Sequence, residues 1–205
     1  MLGTPNRDRS AERREATRQE IVDAAWTLAR EHGLSQITLR QVADRIGMRA
    51  PSLYTHFASK NAIYDEMFGQ AWSEYLQVID AAERRRPRTP RAALRLHART
   101  FFNFAVSDLA RHQLMNQRTI PGFEPSPEAY APAVTALERL RDRLAELGVT
   151  RDEDIDLCVS LIGGLIDAQL ANDPGGNRWG RLVDRAVDMF ADTVGLPPDQ
   201  PEEKP

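Results

Sequence analysis

Residues 38–60 carry a dense set of side chains that can exchange hydrogen bonds with a nucleic acid. The candidates for contact with base edges are Arg40, Arg49, Ser52 and Tyr54. An arginine binds guanine through two parallel hydrogen bonds, and hydroxyl groups serve several bases. The candidates for contact with phosphate oxygens are Thr38, Thr55 and His56. Phosphate contacts position a protein on DNA without reading its sequence, so the two sets together predict recognition of a duplex.

Two short helices joined by a tight turn would present these side chains on one surface. Thr38 is a strong N-cap, and Gln41 completes a capping box at the start of the first helix. Gly47 ends that helix at a position that favours positive φ, and Pro51 lies where the second helix begins. The inward-facing apolar residues of the second helix are Leu53 and Phe57. The pattern predicts a helix-turn-helix, and an ordinary helical hairpin is the less favoured alternative.

The segment from about Arg14 to Phe68 resembles the DNA-binding region of the TetR family of bacterial transcriptional repressors. The matching motifs are Ile21-Val22-Asp23-Ala24-Ala25, Gly33, Thr38-Leu39-Arg40-Gln41-Val42-Ala43, Ile46-Gly47, Leu53-Tyr54-Thr55-His56-Phe57 and Ser59-Lys60. The resemblance implies an all-α fold, in which an N-terminal three-helix domain holds the helix-turn-helix and a helical C-terminal domain binds ligand and dimerises. It also implies that Lys60 contacts a DNA phosphate. Family members often have a bulky aromatic residue where this chain has Thr55, so the readout surface here is smaller.

The chain divides into two predicted domains. We expect the helix-turn-helix domain over residues 1–60, the ligand-binding and dimerisation domain over 61–195, and a disordered tail over 196–205. The second domain opens with a long helix that is capped by Ser59 and runs to about Glu83, and no β-strand alternation is present. Residues 1–13 are predicted to form a mobile arm. The arginines at its end (Arg7, Arg9, Arg13 and Arg14) fit contact with phosphates and a solvated tail equally well.

Composition narrows the class of protein. The chain has 205 residues and a formal net charge of −3, but residues 1–60 carry ten Lys and Arg against seven Asp and Glu. The basic excess lies where DNA binding is predicted, and phosphate contact depends on local charge. The sequence has no apolar signal segment and no run long enough to span a membrane, and its single cysteine, Cys158, excludes an intramolecular disulfide. We therefore expect a cytoplasmic protein.

Enzymatic chemistry has little support in the sequence. It has no Gly-rich phosphate loop, no GxSxG and no HExxH motif, and its four histidines are scattered. Cys158 lies in an apolar helix, where a thiol behaves as a small hydrophobic group. We expect no catalysis, no metal site and no cofactor.

Aromatic and polar residues of the second domain fall where TetR-family members line a ligand cavity. They are Trp72, Tyr75, His97, Phe101, Phe104, Met115, Phe123 and Tyr130. Such a set suits a small hydrophobic or aromatic effector, and the alternative is that these residues only fill the core. Asp167 and Gln169 interrupt an apolar helix and are further candidates, since burial of an unpaired polar group is costly.

The last two helices are predicted to form a homodimer interface. The helix from residue 152 is apolar on nearly all sides and contains Gly163 and Gly164, which favours burial on both sides and close approach of backbones. The resemblance implies a four-helix bundle across a two-fold axis. The predicted contact residues are Leu157, Leu161, Leu165, Leu182, Ala186 and Phe190. The alternative is an intrachain core only.

These predictions combine into one functional hypothesis. A dimer would bind a palindromic DNA operator and repress transcription, and a small molecule in the second domain would release it. The long fourth helix is the expected lever between the two domains. The alternative is a dimer on the same fold that binds DNA or a protein partner without any ligand.

Overall fold

The computed structural model describes residues 9–85, 87 and 89–199, and within these ranges the chain is helical without a strand. The helices are α1 (Arg9–His32), α2 (Leu39–Arg45), α3 (Ala50–Leu53), α4 (Lys60–Glu83), α5 (Pro90–Val106), α6 (Leu109–Asn116), α7 (Pro127–Ala145), α8 (Asp152–Asn172) and α9 (Val183–Thr193). Short 3₁₀ turns at Leu34–Gln36 and Gly180–Leu182 follow α1 and precede α9. The all-α prediction is confirmed. None of the described helices is long and apolar enough to cross a membrane.

Local sequence signals account for most of the helix starts. Thr38 and Gln41 form the predicted capping box, and the side chain of Ser59 accepts a hydrogen bond from Ala62 N at the start of α4. Residues 150–153 read in the sequence as a capping box that opens α8, but α8 begins at Asp152 and its N-cap is Arg151, which makes no side-chain cap. The first turn of α8 instead holds three acidic residues, whose charge suits the positive end of the helix dipole.

Two apolar cores share the molecule. The first joins α1, α2, α3 and α4 and continues into α6 and α7 through Leu114 and Ala133. The second joins α5, α8 and α9 with the end of α7. Helix α4 is therefore packed against both the helix-turn-helix and the second domain. The boundary at residue 60 stays a prediction, although the first core continues across it.

Helices α7 and α8 pack against different helices of the chain. Helix α7 packs along α4, where a Cβ atom built on Gly69 would lie only 3.3 Å from the Cα of Ala129. Helix α8 packs on α5 and α9. Because the two helices follow different partners after their short connection, a cavity remains between them.

The segment after α9 corrects the predicted disordered tail. Leu196 is buried in the second core. Arg91 is also buried, and its guanidinium donates hydrogen bonds to the carbonyl oxygens of Leu196 and Pro197. Arg95 pairs with Asp199 at 2.9 Å. Residues 196–199 thus pack on α5, because the apolar Leu196 and two arginines fix them, and residues 200–205 lie outside the described residues.

Candidate nucleic-acid interface and ligand cavity

The turn between α2 and α3 has the predicted geometry. Gly47 has a φ of 68°, which a residue with a side chain rarely adopts. The backbone N–H of Met48 donates a hydrogen bond to Ala43 O. Helix α3 itself is one turn long, but the chain continues to coil after it. Tyr54 N bonds to Pro51 O, and the three residues that follow bond in the same manner. The segment from residue 50 to 57 therefore presents its side chains as a helix would.

Most of the predicted DNA-contacting side chains are exposed on this unit. They are Thr38, Arg40, Arg49, Ser52, Tyr54 and Thr55, and Tyr54 is 58% exposed although it is a large aromatic residue. Arg40 lies 3.8 Å from Asp44, and because both side chains are exposed this pair holds the guanidinium only weakly. Their contact with DNA stays a prediction.

Two of the predicted phosphate contacts are partly buried. Lys60 Nζ donates a hydrogen bond to Ile37 O at 3.3 Å and lies 5.5 Å from the ring of Tyr64. The Nδ1 atom of His56 is buried without a partner among the described residues. Thr55 donates its hydroxyl to Ser52 O at 2.7 Å. Because an ammonium carries three N–H donors, the bond to Ile37 O leaves two of them for a phosphate.

Helix α1 braces the end of the recognition segment through an arginine that sequence reasoning missed. Arg18 donates a hydrogen bond to His56 O at 2.6 Å, and its guanidinium lies 4.1 Å from the ring centre of Phe57. It also bonds to Glu66 of α4 at 2.5 Å. Arg18 therefore ties α1 and α4 to the recognition segment that would face DNA. No local motif marks it, since its partners lie about 40 residues away.

The predicted N-terminal arm is partly wrong. Helix α1 begins at Arg9, so Arg9, Arg13 and Arg14 lie on a helix rather than on an arm. Arg14 reaches Thr55 O at 3.5 Å. Arg7 lies outside the described residues. The run of polar and charged residues suggested an arm, but this run continues the helix that the apolar residues from Ile21 onward anchor.

A cavity of about 600 Å³ lies where the two cores meet, between α4, α5, α7 and α8. Four of the eight residues predicted for it line it, namely Trp72, Tyr75, His97 and Phe101. The rings of Trp72 and Phe101 stack with centroids 6.3 Å apart, and Tyr75 meets Phe101 edge-on at 5.2 Å. Cys158 also lines the cavity, and burial raises the pKa of its thiol to about 11, so the thiol stays protonated.

The other four predicted residues do not line the cavity. Phe104 and Met115 are buried in the first core, with Phe104 against Tyr75 at 5.5 Å. Phe123 packs edge-on against Tyr64, and Tyr130 stacks on Phe68 at 5.8 Å on the outer side of α7. These side chains were assigned by type and position along the chain, whereas the cavity is defined by the gap between α7 and α8.

A polar cluster lines the cavity beside α6. The cluster consists of His112, Asn116, Gln117 and Asp167, which all line the cavity. The Oδ1 atom of Asp167 lies 2.9 Å from His112 Nε2 and 3.0 Å from Gln117 Nε2. Asp167 was a sequence candidate, and His112 was missed although the spacing of His112 and Asn116 places them on one face of α6. Gln169, the other candidate, accepts hydrogen bonds from Trp179 N and Gly180 N and does not line the cavity.

A second polar group lies behind the cavity lining at His97. Glu83 bonds to His97 Nε2 at 2.7 Å and to Arg143 at 2.8 Å. Burial would raise the pKa of Glu83, but the hydrogen bonds from Arg143 and His97 lower it below its ordinary value. Burial raises the pKa of Tyr75. Glu83 therefore carries its charge near neutral pH while Tyr75 stays protonated.

Residues 21–67 match the family model described as bacterial regulatory proteins, tetR family. The matched residues contain the helix-turn-helix, and the comparisons support a regulator of the TetR family. The transcriptional repressor KstR2 from Rhodococcus jostii (strain RHA1) is 46% identical over 50 residues, which cover 24% of each chain. The class A tetracycline repressor from transposon 1721 of Escherichia coli is 27% identical over 185 residues, 83% of this chain and 79% of that one.

Solved structures extend the TetR likeness to the whole fold. A TetR-family transcriptional regulator from Bordetella parapertussis 12822 superposes with a TM-score of 0.64 at 18% identity, covering 90% of this chain and 100% of that one. At this identity the likeness concerns the fold alone. The chain spans about a quarter of the length of the KstR2 relative that it matches.

The predicted TetR-type dimer face needs correction at two positions. Ala186 and Phe190 are buried inside the protomer, and Phe190 belongs to the second core. The apolar stripe of α9 turns inward onto α5, so these side chains are not available to a partner. Leu157 is 45% exposed, and Met189, which the sequence prediction left out, is 58% exposed. The remaining predicted residues, Leu161, Leu165 and Leu182, are partly buried.

Proposed function

We propose that this protein is a transcriptional repressor that binds a DNA operator as a homodimer and leaves it when a small molecule enters the cavity. The observation that carries the proposal is the exposed, hydrogen-bonding surface of residues 38–56 on a unit that α1 and α4 hold rigidly. The same proposal places the protein in the bacterial cytoplasm and gives it no catalytic role.

Within the DNA-binding surface the proposed roles differ by position. Arg40, Arg49, Ser52 and Tyr54 read base edges. Thr38, Thr55, His56 and Lys60 hold phosphates and so set the position of α3 in the major groove. Arg18 acts as a positioning residue, since it fixes the carbonyl of His56.

The dimer supplies the second recognition segment. Two such segments about 34–36 Å apart would meet successive major grooves on one face of a palindromic operator. The outward sides of α8 and α9 support this contact, because they expose Leu157 and Met189 while Leu161, Leu165 and Leu182 remain partly accessible. A two-fold contact through these residues would bury apolar surface that is otherwise in water.

Ligand binding would reach the DNA unit through α4 and α6. Helix α4 lines the cavity with Trp72 and Tyr75, and it begins at Lys60 beside the helix-turn-helix. Helix α6 contributes His112 to the cavity, and Asp108 at its N-cap pairs with Arg30 of α1 at 2.8 Å. A ligand that prefers one arrangement of these helices shifts the spacing of the two recognition segments. Conversion from nearly all bound to nearly all free needs about 5.5 kcal/mol of differential affinity.

The alternative without a ligand is less well supported. A ligand-independent DNA-binding or partner-binding dimer would be served best by a filled second domain. The cavity of about 600 Å³ lies within the range of 300–1,000 Å³ that is typical of small-molecule sites.

Fluorescence anisotropy with DNA from beside the protein's own gene tests the proposal. We expect tight binding that weakens steeply with salt and exceeds binding to a scrambled duplex about a thousandfold or more. Equal, weak binding to both duplexes and to duplexes selected from a random library would contradict operator recognition. Once an operator is known, its release by candidate ligands tests the cavity as an effector site.

A further inference from the structure

The cavity that we propose as the effector site has an aromatic wall at its centre. Trp72, Tyr75 and Phe101 pack on one another there, with Trp72 and Tyr75 edge-on at 6.0 Å. The faces of aromatic rings carry negative electrostatic potential, so they attract a cation within about 6 Å of the ring centre. Apolar side chains such as Leu137 and Ile162 line the surface around these rings.

One carboxylate at the end of this wall has an unused oxygen. Asp167 Oδ1 accepts from His112 and Gln117, whereas Oδ2 has no hydrogen-bond partner among the described residues. The side chain of Asp167 is 58% exposed, so it lies at the open end of the cavity. His112, in contrast, is buried, and its other ring nitrogen, Nδ1, lies 3.2 Å from Asn116 Nδ2. Two donors therefore hold one oxygen of this cavity-lining carboxylate in place, and the other oxygen remains available to a ligand.

The described lining offers no free positive charge to an anion. Arg139 is its one Arg or Lys, and its guanidinium is paired with Asp80. Behind His97, Arg143 is shared between Glu83 and Glu146. A ligand carboxylate or phosphate would thus enter beside the Asp167 carboxylate without a free Arg or Lys to pair with, and desolvation of such a charge without compensation is costly.

From the aromatic wall, the fixed carboxylate and the paired arginines, we infer that the cavity binds an apolar organic cation, with its charge at Asp167 and its body against Trp72, Tyr75 and Phe101. The inference rests on the proposed function only in taking this cavity as the ligand site. The cation and the carboxylate attract one another across the partly exposed mouth, where solvent screens the pair. An effect of about tenfold on affinity, or 1.4 kcal/mol, is therefore expected rather than a larger one.

Two ions of the same shape and opposite charge test the inference. Tetraphenylphosphonium and tetraphenylborate each carry four phenyl groups around one central atom. Their binding to the full chain without DNA is measured by isothermal titration calorimetry at pH 7 in sodium buffers, because potassium precipitates the borate. We expect the phosphonium to bind at least about tenfold more tightly than the borate. Equal affinities, tighter binding of the borate, or no binding of the phosphonium at millimolar concentration would overturn the inference.

A substitution pair then locates the charge. Asp167→Asn keeps an oxygen for His112 and Gln117 but removes the negative charge, and it should weaken phosphonium binding about tenfold while borate binding holds or improves. Asp156→Asn removes the same charge from an exposed position on α8 outside the cavity lining, and it should change neither affinity more than about twofold. Equal effects of the two substitutions would overturn the assignment to Asp167.

The outcome is separable from the proposed function. Phosphonium binding that depends on Asp167 but does not release operator DNA would leave the cation site standing and remove its role as effector site. Release of DNA by a neutral or anionic molecule that binds the cavity more tightly than the phosphonium would support the regulator and overturn the cation inference.

Discussion

The helix-turn-helix and the cavity differ in how their geometry is determined. Neighbouring residues fix the first, through the capping box of Thr38, the positive φ of Gly47 and the buried side chain of Leu53. The second is a gap, which exists because α7 follows α4 while α8 follows α5 and α9. The first region shares 46% identity with a KstR2 repressor over 50 residues, whereas the whole chain shares only a fold with the Bordetella regulator. The local contacts of a helix-turn-helix restrict which residues can occupy it. Many different sequences can form a cavity between helices.

A matched pair of leucine truncations should show the largest difference between the two regions. Leu53 is fully buried in the helix-turn-helix, and Leu53→Ala should lower the free energy of unfolding by about 2–5 kcal/mol and abolish DNA binding. Leu137 lines the cavity and is 41% exposed, so Leu137→Ala should cost less than about 1 kcal/mol. Urea unfolding followed by circular dichroism measures both at one protein concentration. Similar losses would mean that the rim of the cavity is packed as tightly as the DNA unit.

Substitutions on the DNA-facing surface should separate readout from positioning. Arg40→Ala should cost about 1–3 kcal/mol on the operator and relax the preference at one base pair. Lys60→Ala should weaken binding to operator and scrambled DNA alike, and lower the salt slope by about one. Anisotropy at several salt concentrations gives both quantities. If Arg40→Ala weakens both duplexes equally, its assignment to base readout is wrong. If Lys60→Ala lowers stability and leaves DNA binding unchanged, its bond to Ile37 O is its role.

Removal of the cap of α2 should have a smaller effect that is confined to the DNA unit. Thr38→Ala removes the hydroxyl that accepts from Gln41 N, and should destabilise the protein by about 1 kcal/mol. Thr135 lies inside α7, where its hydroxyl only returns to Ala131 O, so Thr135→Ala should be nearly neutral. Thermal unfolding and amide hydrogen exchange of α2 compare the two variants. A neutral Thr38→Ala would show that tertiary packing alone fixes the start of α2.

The smallest expected effect concerns acid stability beside the cavity. The folded pKa of Glu83 is lowered, so its contribution to stability is present at neutral pH and is lost as the pH falls through the ordinary glutamate range, about 4.3, to the lowered value. Glu83→Gln should therefore lose less stability than the wild type over that interval. Urea unfolding at pH 7, 5 and 3 measures the difference. Glu124→Gln, at an exposed position in the loop before α7, is the control and should follow the wild type.

The sequence predicts correctly the local features whose decisive contacts lie a few residues apart. The capping box at Thr38, the turn at Gly47 and the start of α4 at Ser59 each depend on neighbours within four positions. The sequence does not predict which residues line a space between helices that are distant in sequence. Phe104 and Phe123 are aromatic residues of the expected type, but the path of α7 leaves them outside the cavity.

Contacts between distant helices also explain the errors at the dimer face and the residues that the sequence did not identify. Phe190 belongs to an apolar stripe on α9, and only the position of α5 decides that the stripe turns inward. Arg18 bonds to His56 and Glu66, which are distant in sequence, and no residue near Arg18 in the sequence indicates these contacts. The sequence indicated only one member of the polar cluster. A carboxylate such as Asp167 in an apolar helix needs a partner, but the sequence did not identify His112 on α6 as that partner.

The docked segment after α9 has a practical consequence for protein engineering. A reporter domain fused directly after Thr193, or a deletion from Gly195 onward, would remove the carbonyl oxygens that Arg91 uses and the carboxylate that Arg95 uses at Asp199. Arg91 is only 6% exposed and would keep Asp192 as its remaining partner, so the cut would leave a buried guanidinium with part of its hydrogen bonding lost. Tags and tethers are therefore best attached beyond Asp199, where they would leave this clasp on α5 intact.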